Sequence, residues 1–223
     1  MLSRNPSIAN AVTDITFKRK TIHIDTLVSL LESTPRLQYL HVLLATIIRE
    51  ETTEDNNLKP FGNYKLKKFA YTGTRDCTPE AYQRDVMEVL QLFEELDQLY
   101  LSHPASESVA NTEVATMHSG KLLVHALASS RLPLDSNHTY IACLHETGAF
   151  RNLTCLQIAC CDVSEINSYA MLLSRVGPTL LDIGLHVDLR ADSYASLVVD
   201  DIGMASSRSS YASSYAVFRG FKG

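Results

Sequence analysis

Residues 153–163 read LTCLQIACCDV. Leu153, Leu156, Ile158, Cys161 and Val163 follow one another at steps of three, two, three and two, matching the pattern L-x-x-L-x-L-x-x-C-x-L. In an extended chain, alternation sends Leu156 and Ile158 to one face and Cys155 and Gln157 to the other. A single strand of this kind cannot bury its apolar edge unaided, so further copies are expected beside it.

The triplet apolar-x-x-apolar-x-apolar recurs along the chain. It is found at Val12, Ile15, Phe17; Leu37, Leu40, Val42; Leu66, Phe69, Tyr71; Leu96, Leu99, Leu101; Leu122, His125, Leu127; Leu153, Leu156, Ile158; and Leu180, Ile183, Leu185. Successive starts lie about 28 residues apart on average, within the range of leucine-rich repeats. With 45% apolar residues, six such steps in a row arise by chance roughly once in a hundred sequences. The fifth copy carries His125 in its middle slot, where it reads as a buried histidine. Ile22, Ile47, Leu132 and Val163 fill the later slot of the motif, whereas Asp76, Ser106 and Arg190 break it.

A unit of that length needs a return path, and several intervening segments read as helices. Asp25 to Glu32 puts Leu27, Leu30 and Leu31 on one face, with Asp25 as its cap. Thr78-Pro79-Glu80 opens a second helix, with Val86, Val89, Leu90 and Phe93 as its apolar stripe. Ser164-Glu165 opens a third, carrying Ile166, Tyr169, Ala170 and Leu173 and closed by Gly177-Pro178. Asn5-Pro6 begins a short leading helix. Arg49 to Asn57 is an acidic polar loop, and Ala105 to His118 is poor in large apolar residues. The expected architecture is an α/β leucine-rich repeat solenoid over 1–190, of about seven repeats, with a curved parallel sheet inside and helices outside. Residues 191–223, including SSRSSYASSY at 206–215, are expected to be an irregular Ser/Tyr-rich tail.

Composition narrows the function. The net charge of −5 removes the general electrostatic pull of nucleic acid and anionic membranes, so neither is an expected partner. No run approaches 18 apolar residues and no signal-like segment follows Met1, which points to a cytoplasmic or nuclear protein. Five cysteines without a C-x-x-C pair argue against a disulfide framework and a zinc site, and no cofactor or metal is expected. His145-Glu146 lacks the second histidine of a H-E-x-x-H site, and no G-x-S-x-G elbow or dinucleotide fingerprint is present. The expectation is therefore no enzyme. The rival from another class is a thiol hydrolase using Cys155 or Cys160 beside a histidine.

Three phrases carry a family likeness: Asn5-Pro6 leading into residues 12–15 (VTDI), residues 31–37 (LESTPRL), and residues 176–183 (VGPTLLDI). Over about Met1 to Leu189 they resemble the leucine-rich part of fungal F-box proteins. The resemblance implies a ubiquitin-ligase substrate receptor whose repeats capture the protein to be degraded. No Leu-Pro-led F-box segment precedes the first triplet. Attachment to a ligase scaffold is thus expected only if an F-box is encoded upstream, and a truncated, non-functional relative is the other alternative.

Residues between the core slots of each strand are expected on a concave, partner-binding face: Asp14, Thr16, Tyr39, His41, Lys68, Ala70, Gln98, Tyr100, Val124, Ala126, Cys155, Gln157, Asp182 and Gly184. Aromatic anchors at Tyr39 and Tyr100 beside small apolar ground at Val124 and Ala126 suit contact with a protein.

Overall fold

The computed structural model describes residues 6–48, 64–74, 77–102, 122–130, 144–160, 173–174, 176–188 and 213–219. Residues 6, 79, 80, 130, 160, 185–188 and 213–219 are described by backbone alone. The elements begin with α1 (Pro6–Ala9), β1 (Asp14–Lys18), β2 (Thr21–His23), α2 (Ile24–Ser33), β3 (Tyr39–Leu43), β4 (Thr46–Ile48) and β5 (Tyr64–Thr72). They continue with α3 (Pro79–Leu90), β6 (Phe93–Ser102), β7 (Leu123–Ser130), β8 (Cys155–Cys160), a 3-10 turn (Gly177–Thr179), β9 (Asp182–Asp188) and β10 (Ser213–Arg219).

The architecture is α/β with a mostly parallel sheet. Seven strands lie side by side in the order β1-β3-β5-β6-β7-β8-β9, all parallel, and β10 joins β9 antiparallel at the far edge. β2 and β4 form a separate two-stranded parallel sheet, in which Ile22 pairs with Ile47 and both are buried. Parallel neighbours require a crossover between them, so an approximately constant interval between triplets is the sequence trace of this sheet.

Pairing register aligns the apolar slots. Ile15, Leu40, Phe69, Leu99, Leu127, Leu156 and Ile183 form one continuous row across the seven strands, and the near-constant interval between their numbers is the interval between the triplets. Leu40, Phe69, Leu99 and Leu156 are fully buried in this row, each contributing about 1.5–3 kcal/mol relative to exposure. Ile15, on the edge strand, is only half-buried.

The row corrects the fifth copy. Val124 pairs with Leu96 and Leu127 with Leu99, so the slots there are Val124, Leu127 and a buried Ser129. His125 is a half-buried residue outside the core. Val124, expected on the partner-binding face, is completely buried. The apolar Leu122 preceding the strand is what suggested the wrong phase. It too is buried, just before β7 begins.

The helices follow from their ends. In α2, Leu27 and Leu31 are buried, and Thr34 closes the helix by donating from both its backbone amide (3.0 Å) and its hydroxyl (2.7 Å) to the Leu30 carbonyl. His23, not Asp25, occupies the cap position, and Asp25 lies in the first turn where its charge complements the helix dipole. In α3, Thr78 caps by accepting from the Ala81 amide at 3.2 Å, with Pro79 in the first turn. Phe93, expected on this helix, instead opens β6, because α3 ends at Leu90. Its ring packs on Phe69 at 5.1 Å. A helical turn at 144–146 ends in a Schellman arrangement, Ala149 amide to Leu144 carbonyl and Gly148 amide to His145 carbonyl, both at 2.9 Å. Gly148 supplies the positive φ of 78° that this ending needs.

The tail is not irregular throughout, since residues 213–219 form β10. Most of the expected Ser164 helix, the Arg49–Asn57 loop, the segment Ala105–His118, and Leu132, Cys161 and Val163 lie outside the described residues.

Asp85, fully buried on α3, joins three elements. Its Oδ2 accepts from the Ile47 amide of β4 at 3.0 Å and from the Tyr71 hydroxyl of β5 at 3.1 Å, while Arg84 reaches Oδ1 at 3.4 Å. Tyr71 also lies 3.2 Å from the Ala45 carbonyl. Burial holds the Asp85 carboxyl above the usual carboxylate range, against the lowering effect of the Ile47 amide, Tyr71 and Arg84. Burial, then Asp85, likewise pushes the Tyr71 hydroxyl upward.

Two outcomes follow from this packing. Val124→Ala should cost about 1–3 kcal/mol in urea unfolding and His125→Ala less than about 1 kcal/mol, the reverse of what the unaligned triplet implies. Asp85→Ala should cost about 1–3 kcal/mol by leaving the Ile47 amide without its acceptor and the Tyr71 hydroxyl with the Ala45 carbonyl alone. A raised carboxyl binds its proton more tightly in the folded state, so its contribution is complete below the unfolded pKa near 4 and is lost as pH rises through the folded value. Asp85→Asn, which keeps an acceptor, should flatten that part of the stability profile measured against pH.

Candidate functional site

Residues opposite the core slots form rows by the same register. Asp14, Tyr39, Lys68, Gln98, Ala126, Cys155 and Asp182 are successive partners in one row. Thr16, His41, Ala70, Tyr100, Ala128, Gln157 and Gly184 make the second. At about 4.8 Å per strand interval, each row runs for about 29 Å. Apart from the buried Ala70, all of these residues are exposed or half-buried.

The chemistry along the rows is mixed. Tyr39 and His41 alternate on β3, and Tyr100 stands two strands from His41, about 10 Å away. Ala70 and Ala128 flank Tyr100 in register, so the aromatic residue sits between small neighbours. Asp14 and Asp182 bring acidic groups to the two ends, and Lys68 a cation between them. Thus the structure brings together every expected face residue except Val124, which lies in the core. Ala128 joins the face, a position that correct phasing of β7 would have revealed.

An ion-pair cluster lies nearer the start of the strands, flanking the buried slots Leu66, Leu96 and Val124. Lys65 Nζ is 2.9 Å from Glu95 Oε2 and 3.8 Å from Glu94 Oε1, and His125 Nε2 is 3.0 Å from Glu95 Oε1. The hydrogen bond from Lys65, followed by that from His125, holds the Glu95 carboxyl below its ordinary range. Glu95, and then Glu94, raises the Lys65 ammonium. Ligand atoms of Glu95, Asp97 and His125 lie within 4.8 Å of one another, but both Glu95 oxygens already accept hydrogen bonds and Lys65 supplies the compensating positive charge. Lys65, Glu95 and His125 are each separated by 30 residues, so only the pairing of neighbouring strands brings them together.

Cys155 is half-buried in the first row between Ala126 and Asp182. Burial, then the Asp182 charge, pushes its thiol pKa up, which disfavours the nucleophilic thiolate. The side chain of Cys160 lies outside the described set. Among the described residues no helix is long and apolar enough to cross a membrane.

No family model, curated protein or solved structure matches the chain.

Replacing Lys65 with Met should raise the Glu95 pKa toward the ordinary range, followed through its side-chain carboxyl carbon in NMR titration. A depressed carboxyl contributes stability above its unfolded pKa and loses it as pH falls through the folded value, so the variant should also lose less stability on acidification below about pH 4.

Proposed function

We propose that the chain is a non-catalytic protein-binding module: a curved leucine-rich repeat solenoid of about seven units whose concave face grips a protein partner. The observation that carries this reading is the long in-register face bearing Tyr39, His41 and Tyr100, with small residues beside Tyr100. Half-buried aromatic residues between small neighbours are what a binding hot spot requires, because they offer large contact area with few rotatable bonds to immobilise. The even spacing of the middle slots once β7 is phased supports the repeat assignment. The resemblance to fungal F-box proteins makes substrate recognition for a ubiquitin ligase the most concrete form of the proposal. The upward-shifted thiol of Cys155 supports a non-catalytic role over a thiol hydrolase.

The test is affinity purification of the full chain followed by quantitative binding of the recovered partner. Tyr39→Ala and Tyr100→Ala are each expected to weaken that partner at least about tenfold, with melting temperature and circular dichroism unchanged. Recovery of ligase scaffold subunits would support the adaptor form. Unaltered affinity in the double variant would remove this face from consideration.

A further inference from the structure

At the edge of the sheet where β1, β3 and β5 end, the chain leaves a depression of about 530 Å³ lined by Arg19, Lys20, Thr21, Leu44, Thr46 and Thr74. Parallel strands present their carboxyl ends on one edge, the edge at which open α/β sheets commonly receive ligands. Arg19 to Thr21 follow β1, Leu44 and Thr46 follow β3, and Thr74 follows β5. Three successive units therefore each contribute to one lining. β2 and β4 pair Thr21 directly with Thr46, and the Lys20 carbonyl accepts from the Thr46 amide at 3.2 Å, which ties two arms of the site together.

Among the described residues the lining holds two basic residues and three threonines and no acidic one, on a chain of net charge −5. Among the described residues neither Arg19 nor Lys20 enters an ion pair. Arg19 also occupies a left-handed backbone position, φ 54°, where its amide donates to the Leu43 carbonyl at 2.9 Å. Glycine would adopt that conformation without the roughly 1–2 kcal/mol that a side chain costs there. The turn itself gives no reason for a guanidinium at this position.

We propose that this depression binds a phosphate monoester, with Arg19 and Lys20 neutralising the dianion and Thr21, Thr46 and Thr74 donating to its oxygens. A carboxylate carries a single charge and its acceptor sites lie in one plane, whereas a tetrahedral dianion offsets both Arg19 and Lys20, meets donors arriving from three strands on several sides and matches the planar fork of Arg19. The volume exceeds that of a bare phosphate and leaves room for the group it esterifies. This assignment stands apart from the open face and does not depend on what that face binds.

The test is titration of the isotopically labelled full chain with inorganic phosphate at pH 7.5, with ionic strength held constant by chloride. Saturable amide shifts are expected around residues 19–21, 44–46 and 74, with a dissociation constant on the order of 1 mM. Arg19→Gly, which keeps the backbone conformation comfortable, and Lys20→Gln should each weaken binding about tenfold, while Lys67→Gln should not. Glucose 6-phosphate and a phosphoserine peptide separate the sources of the ester. A gain over inorganic phosphate for one of them identifies that source, and equal affinities indicate a site that reads the dianion alone. Equal shifts with chloride, or affinity unchanged in both Arg19→Gly and Lys20→Gln, would overturn the proposal.

Discussion

Everything in this molecule is subordinate to lateral pairing of parallel strands in a register that sets one buried side chain beside the next, from Ile15 through Leu40, Phe69, Leu99, Leu127 and Leu156 to Ile183. A short strand has two edges of backbone donors and acceptors and one apolar side, none of which it can satisfy alone. Its neighbours satisfy both at once. A slip of one residue would turn every buried side chain outward, so hydrogen bonding and apolar burial select the same alignment. The interior strands benefit most, and accordingly Leu99 is fully buried while Ile15 on the edge is not.

That alignment also explains where polarity is admitted. Asp85 is tolerated at zero exposure because its oxygens meet the Ile47 amide, the Tyr71 hydroxyl and Arg84. Burying the carboxyl without them would cost several kcal/mol. The group thereby couples α3 to β4 and β5, joining the main sheet to the small one. Ser129 occupies a slot that its neighbours fill with Leu101 and Ile158, so the core row is not uniformly apolar.

The same pairing builds the surface. Because side chains alternate, the register that aligns the core also aligns Tyr39 with Lys68 and His41 with Ala70, and it assembles the Lys65, Glu95 and His125 cluster from three different strands. The outward-facing surface is thus assembled strand by strand, each strand contributing one or two groups. The depression at the ends of β1, β3 and β5 is assembled by the same logic from three consecutive returns of the chain.

From residues alone, the parallel α/β arrangement, the two helices at Asp25 and Thr78, and most of the outward-facing set were legible, because each rests on local periodicity or capping chemistry that repeats at short range. The phase of β7 was not. Leu122, Val124 and Leu127 are all apolar, and only the hydrogen bonds to Leu96, Leu99 and Leu156 decide which of them occupy the aligned slots. For the same reason Val124 moved from the expected binding face to the core. The tail likewise reads as polar and featureless, yet residues 213–219 become a strand because β9 offers an edge to pair with. Short-range pattern thus located the seven parallel strands of the main sheet and the helices α2 and α3. Tertiary pairing decided their register, the charge cluster and the threonine-lined depression, since these depend on groups on successive strands, far apart in the chain, that meet only when neighbouring strands lie down together.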